Sequence, residues 1–390
     1  MQNKSKILCF IVVMFFALSN FVIAQKDIIS KIDLLNKNSE TYRQTNLDAA
    51  YTFAENALKL SEKANYQKGK GFALKNMATI YLTSSMHDDA ITLFKQSILI
   101  FQKENINSAL ADCYSNIAVA YSAKSEFDSS LIYNFKCLKI RQTLNDEIGK
   151  ALALGNIGNN YYRRGSKNEA IGYFLKSALI FYKSQDYIHL ARILVSIGTI
   201  LSDMEKYKIS LIINQTSLII AQKNEDKRLI STCYNNIGFA YYNLNSYEKA
   251  LEYLNYSLEI KEQLNDKAGT MVSLGIVGSI YRDKNQFELS NQMYIYIMKI
   301  AEEVGDHRQS AIALTYIGEN LRSKGQFDKA INYYLQSLNI VNQLHAMNEI
   351  CDNYKYLSLA NYEKGDIIPT QKYFALYKAY SDSTSVNFKF

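Results

Sequence analysis

Ala153-Leu154-Gly155-Asn156-Ile157-Gly158-Asn159-Asn160-Tyr161, followed at a short distance by Glu169-Ala170-Ile171, is the stretch whose reading decides the fold. Leu154, Ile157 and Tyr161 stand at offsets of −4, −1 and +3 around Gly158, which is the spacing of one stripe along a helix. Ala170 lies twelve residues beyond Gly158, after the polar turn Arg163-Arg164-Gly165-Ser166-Lys167, and marks a second helix. Glycine in that turn suits a left-handed helix end.

Read outward, the same arrangement recurs every 40 residues without a gap. The small position is filled by Ala78, Ala118, Gly158, Gly198, Gly238, Gly278, Gly318 and Ser358. A bulky residue precedes each, from Met77 to Leu357. The second small position runs from Ala50 through Ser130, Ala170, Ser210, Ala250, Ser290 and Ala330 to Thr370, and an aromatic such as Phe127, Tyr247 or Phe327 often opens that helix. Asn145-Asp146 and Asn265-Asp266 close one repeat and start the next. Paired small residues let two helices approach, and one pair cannot bury both of its faces, so stacking is required. The single proline and 48% hydrophobic content agree with an all-α chain that buries a core.

This pattern resembles the tetratricopeptide repeat, with Leu154 where tryptophan often sits, and its longer period is similar to the variant of kinesin light chains. The resemblance covers about residues 27–381 as nine repeats: 27–65, 68–104, 108–144, 148–184, 188–224, 228–264, 268–304, 308–344 and 348–381, with a tail at 382–390. It implies a right-handed superhelix whose first helices line an inner groove that binds peptides or extended segments. Exported arrays of this kind also resemble the sensor portions of certain bacterial membrane kinases and regulators. The chain reaches Phe390 without a kinase motif, so it reads as a free-standing relative of such a sensor or one cut short.

The N-terminal residues set the expected compartment. Lys4 and Lys6 precede the apolar run Ile7–Leu18, and Val22-Ile23-Ala24 places small residues before Gln25. That is the layout of a signal peptide cleaved after Ala24, with an exported, periplasmic or extracellular product. Cleavage leaves 42 basic against 37 acidic residues, spread without a dense run, which gives no support for nucleic-acid binding. Cys113, Cys137, Cys233 and Cys351 form no disulfide framework; Cys113 and Cys137 read either as a pair or as buried free thiols.

Two positions before the small residue stand Asn76, Asn116, Asn156 and Asn236, with Ser196 between. The family resemblance turns this face into the groove. Asparagine offers a donor and an acceptor, so such a ladder can hold a peptide backbone; the alternative is that it bonds the neighbouring helix or water. Asn159, Tyr162 and Tyr242 fall near the same face, and Arg282 and Arg322 share the tyrosine position, where they read either as carboxylate ligands or as a solvated rim. Lys75 and Asn116 match only part of the family's carboxylate clamp. His87, His189, His307 and His345 have no metal-binding spacing, and no phosphate loop or nucleophile elbow is present. The expectation is a non-enzymatic scaffold without cofactor or metal that binds a protein or peptide, with a membrane-protein partner or self-association in the envelope as alternative roles.

Overall fold

The computed structural model describes residues 25–386. All its regular structure is helical, and no strand occurs among the described residues. A first helix, α1, covers 25–42. Then come α2 (Leu47–Lys63), α3 (Gln67–Thr83), α4 (His87–Lys103), α5 (Asn107–Ala123), α6 (Phe127–Thr143), α7 (Glu147–Arg163), α8 (Lys167–Lys183) and α9 (Tyr187–Asp203). They continue with α10 (Tyr207–Lys223), α11 (Lys227–Asn243), α12 (Tyr247–Gln263), α13 (Lys267–Asp283), α14 (Phe287–Val304), α15 (His307–Ser323), α16 (Phe327–Gln343), α17 (Met347–Lys364) and α18 (Ile367–Val386). Odd-numbered helices are the first helices of the repeats. The proposed signal segment 1–24 lies outside the described residues. The last helix continues to Val386, past the expected repeat boundary at 381.

From the end of α2 onward, every turn has the same construction. A residue with positive φ stands at each twentieth position from Asn65 (φ 51°) to Gly365 (φ 94°). After α3, the Ser85 amide reaches Leu82 O at 3.2 Å and the Met86 amide reaches Tyr81 O at 2.9 Å, closing the last helical turn as a Schellman motif. Glycine meets this demand at 165, 305, 325 and 365, and asparagine at six of the other turns. Gln185, Glu205 and Glu225 adopt the same conformation with a Cβ, at a steric cost. Asp146, Asp226, Asp266 and Asp306 then cap first helices, each accepting an amide three residues on. Asp88 and Asp89 sit inside the first turn of α4, and Asp88 pairs with Lys124 at 2.7 Å.

The chain divides into two compact units, Met1–Ile193 and Leu194–Phe390. In the first, Phe94, Phe101, Ile117 and Ile157 anchor one continuous core. The hydroxyl of Ser130 donates to Ala118 O at 2.6 Å, so the two small positions of that repeat meet directly. In the second unit Ser210 and Ser290 make the same bond to Gly198 O and Gly278 O, each at 2.8 Å. Over the first small position lies a large side chain sixteen residues on. A Cβ on Gly238 would stand 2.7 Å from Leu254, and one on Gly278 would stand 2.9 Å from Tyr294. Exposed ion pairs join successive repeats at constant spacing: Arg164–Asp128 (2.9 Å) in the first unit, and Lys284–Glu248 (3.0 Å) and Lys364–Asp328 (2.8 Å) in the second. Such pairs add little stability singly but favour one register.

Gly198→Leu should lower the unfolding free energy by roughly 1–3 kcal/mol, because its side chain is driven into the Asn214 amide. Glu205→Gly should raise it by about 0.5–1 kcal/mol by relieving the left-handed turn (φ 59°). Urea titration of both variants checks the pair; a destabilised Glu205→Gly contradicts the account of the turns.

Candidate functional site

The residues picked out from the sequence have different surroundings. Asn76 is 2% exposed and donates to the main-chain carbonyl of Asn36 at 3.0 Å, so it ties α3 to α1 and is withdrawn from any groove. Asn156 donates to Ser115 Oγ at 3.4 Å. Asn236 reaches Thr199 Oγ1 at 3.3 Å and Asn214 Oδ1 at 3.2 Å. These asparagines link neighbouring helices, since first helices pack closely enough for one amide to span them. Asn116 is half-buried and has no bonded partner among the described residues, and Asn159 is exposed. Tyr162 and Ser196 are half-buried and engaged within the chain. Tyr242 donates to Asp283 at 2.8 Å, and burial first, then that carboxylate, push its hydroxyl pKa up.

The two arginines also differ in their surroundings. Arg322 is held by Glu319 at 2.9 Å and by Glu363, so its donors are taken within the chain. Arg282 stacks 5.4 Å from the ring centre of Tyr316 and lies 3.5 Å from Asp283. The Arg322 guanidinium therefore presents no open fork to a ligand carboxylate.

An open cleft of about 340 Å³ lies in the first unit, against α1, α3, α5, α6 and α7. Lys75 pairs with Glu40 at 3.1 Å on one side of it. Arg141 bridges Asp112 and Asp146 on the other, the latter at 2.8 Å. Burial works against the Arg141 charge, but the two carboxylates outweigh it and raise its pKa. Asn116 and the half-buried Arg43 line the same cleft and make no hydrogen bond or ion pair within the described chain. The cleft thus offers one unanswered guanidinium and one unanswered amide among charges that are otherwise balanced. Arg43 and Arg141 were not singled out from the sequence. Arg43 follows the helix of the most divergent repeat, and Arg141 shares its register with Phe101 and Phe181, so periodicity marks it as core.

Cys113 and Cys137 are free thiols, 0% and 3% exposed, and burial pushes Cys113 up to about 12. No group of acids, histidines and cysteines among the described residues is arranged to hold a metal. No described helix is long and apolar enough to cross a membrane.

Lys261, in the second unit, shares the register of Arg141 but has no carboxylate in contact. It is 5% exposed and donates to Ser273 Oγ (2.7 Å), Gly269 O (3.0 Å) and Asn235 Oδ1 (3.3 Å). Burial pulls its pKa down to about 8, with Asp266 opposing in part.

Stacked helix-turn-helix pairs with small residues at the contact, repeated at constant spacing, define a class of repeat protein whose first helices share one face. The family model of the tetratricopeptide repeat matches residues 189–263 and 269–343, so those residues form tetratricopeptide repeats. No curated protein matches the chain. Among solved structures, the signal-transduction ATPase with a tetratricopeptide-repeat sensor from Pyrococcus horikoshii is similar at TM-score 0.60 and 18% identity, over 81% of this chain and 48% of that one. Aspartyl phosphate phosphatase F from Bacillus subtilis is similar at TM-score 0.59 and 14% identity, over 90% and 94%. The Rap conjugation regulator of plasmid pLS20, in complex with the Phr* peptide, is similar at 0.57 and 15%, over 92% and 97%. At these identities the likeness is one of fold.

The depressed pKa of Lys261 sets a pH dependence. Between pH 8 and 10.5 the unfolded chain holds this proton and the folded chain sheds it. The contribution of Lys261 to stability therefore rises with pH across that window, on the order of 2 kcal/mol in all. The difference in unfolding free energy between the wild type and Lys261→Met should shift by this amount between pH 7.5 and pH 10. A difference that stays flat contradicts the buried-cation account.

Proposed function

We propose that the chain is a non-catalytic scaffold that binds an extended polypeptide segment on the first-helix face of its first unit. The observation that carries this reading is the cleft in which Arg43 and Asn116 are left without partners while Lys75 and Arg141 are neutralised. An amide with both functions free can bond a peptide main chain, and a guanidinium can take an acidic group of the segment. The peptide-bound Rap regulator, of the same fold, supports a peptide ligand.

The test is affinity. The protein immobilised without residues 1–24 should retain a polypeptide from envelope extract. Arg43→Ala with Asn116→Ala should weaken that binding at least tenfold with unchanged thermal melting. A partner held equally by wild type and variant removes the cleft from the interaction.

A sensor-like role, in which binding is relayed through a separately encoded membrane partner, is supported by the tetratricopeptide-repeat sensor of the Pyrococcus ATPase. Both readings place the chain outside the cytoplasm, on the strength of Lys4, Lys6, Ile7–Leu18 and Ala24. Terminal sequencing of the protein recovered from the envelope fraction should give Gln25 as its first residue; an intact Met1 terminus contradicts export by cleavage.

A further inference from the structure

Three successive second helices of the first unit, α4, α6 and α8, share an outward face of one chemical kind. Each buries one side against first helices, with Phe94 and Phe101 on α4, Leu131 and Leu138 on α6, and Phe174 and Phe181 on α8. On the opposite side large apolar side chains stand in the open. Leu99 is 68% exposed on α4, Ile132 56% on α6, and Leu175 and Tyr182 are 55% and 61% on α8. Phe135 and Leu179 join them. Single exposed apolar residues are ordinary, but a set along one stripe of three adjacent helices forms a patch.

Past the first turn of each helix, the charges on this face are of one sign. Lys95, Lys103, Lys136, Lys139, Lys176 and Lys183 are all exposed, and none is paired with a carboxylate among the described residues. Past their first turns, α4, α6 and α8 contain no acidic residue. In the second unit the corresponding stripe of α12 carries Glu252, Glu259 and Glu262, so the repeat itself does not require an acid-free surface. The ammonium groups of Lys136 and Lys176 lie 4.9 Å and 5.0 Å from the ring centres of Tyr133 and Tyr173, as cation–π contacts at the edge of this face.

We infer that the outward face of α4, α6 and α8 docks on an anionic phospholipid surface. The chemistry fits lipid better than a folded acidic partner on two counts. The fixed charges are lysines without arginine, which suits diffuse headgroup charge more than bidentate recognition of particular carboxylates. Lysines are interspersed through the apolar patch, an arrangement that lets its side chains enter the headgroup boundary while the ammonium groups stay at the phosphates. This inference is independent of the cleft and does not require a transmembrane helix.

The probe is vesicles of phosphatidylglycerol and phosphatidylethanolamine, compared with vesicles of phosphatidylcholine, in co-sedimentation with the protein lacking residues 1–24. Binding to the anionic vesicles should exceed that to the neutral ones by more than tenfold and fall as salt is raised. Lys136→Glu with Lys139→Glu and Lys176→Glu should reduce it by more than tenfold, and Leu175→Ser with Leu179→Ser by several-fold. All five positions are exposed, so melting should stay within a degree or two of wild type and serves as the folding control. Equal binding to neutral vesicles, no binding to either, or unchanged binding by the lysine variant overturns the inference. So does concentration-dependent mass, without lipid, that the same lysine variant abolishes, since the face would then be a contact between copies of the chain.

Discussion

The structure depends on how closely two helices of one repeat approach each other. Where Ser130 meets Ala118, and Ser210 meets Gly198, a side-chain hydroxyl reaches the main-chain carbonyl of the facing helix. Such a bond needs small residues on both sides, and it answers a polar group that burial would otherwise penalise. The space saved on the first helix is taken up by a large side chain: Phe94, Phe174, Leu254, Tyr294 and Tyr334 are each 3% exposed or less. Those side chains also face the first helix of the next repeat, as where Tyr334 stacks on Tyr356 with ring centres 5.7 Å apart. One local contact therefore shapes the pair and also shapes its stacking on the next.

Polar groups with no place in a purely apolar interior follow from the same geometry. Ser97 and Ser177 donate to Gly71 O and Ala151 O within the first unit, and Ser257 and Ser337 repeat the bond in the second. Each is 0% exposed. A hydroxyl bonded across two helices fixes their axial register in a way that leucine packing alone does not, since apolar contacts tolerate sliding. Lys261 extends this principle to a charge, joining α11, α12 and α13 through an amide, a hydroxyl and a carbonyl.

The repeat, its small positions and its glycine turns were legible in the sequence because each is a local demand on one residue type at fixed spacing. Gly165 and Gly325 do adopt the left-handed conformation, and Phe127 and Phe327 do open second helices. The fate of the asparagines was not legible. Asn76 and Asn116 occupy the same register, yet one bonds a neighbouring main chain and the other has no partner among the described residues. What separates them is the local fit of the adjacent first helix, a tertiary property that amide chemistry does not encode. The partners of Arg322 were not legible for a related reason: Glu363, which helps to satisfy it, lies 41 residues away, on the next first helix. Arg43 escaped notice because the first repeat diverges most from the periodic pattern.

The uniform turn carries a consequence for how such a chain can change its length. Most helices span 17 residues, and a left-handed residue recurs at every twentieth position. Removing or duplicating any 40-residue block rejoins equivalent turns, so the chain can gain or lose whole repeats with its core contacts kept in phase. A single inserted residue inside a helix does the opposite. It turns everything beyond it by about 100° on the helix axis and carries the small position off the contact. The gap-free spacing across the repeats is the trace of that asymmetry: length is free to drift in units of a repeat and is held fixed within one.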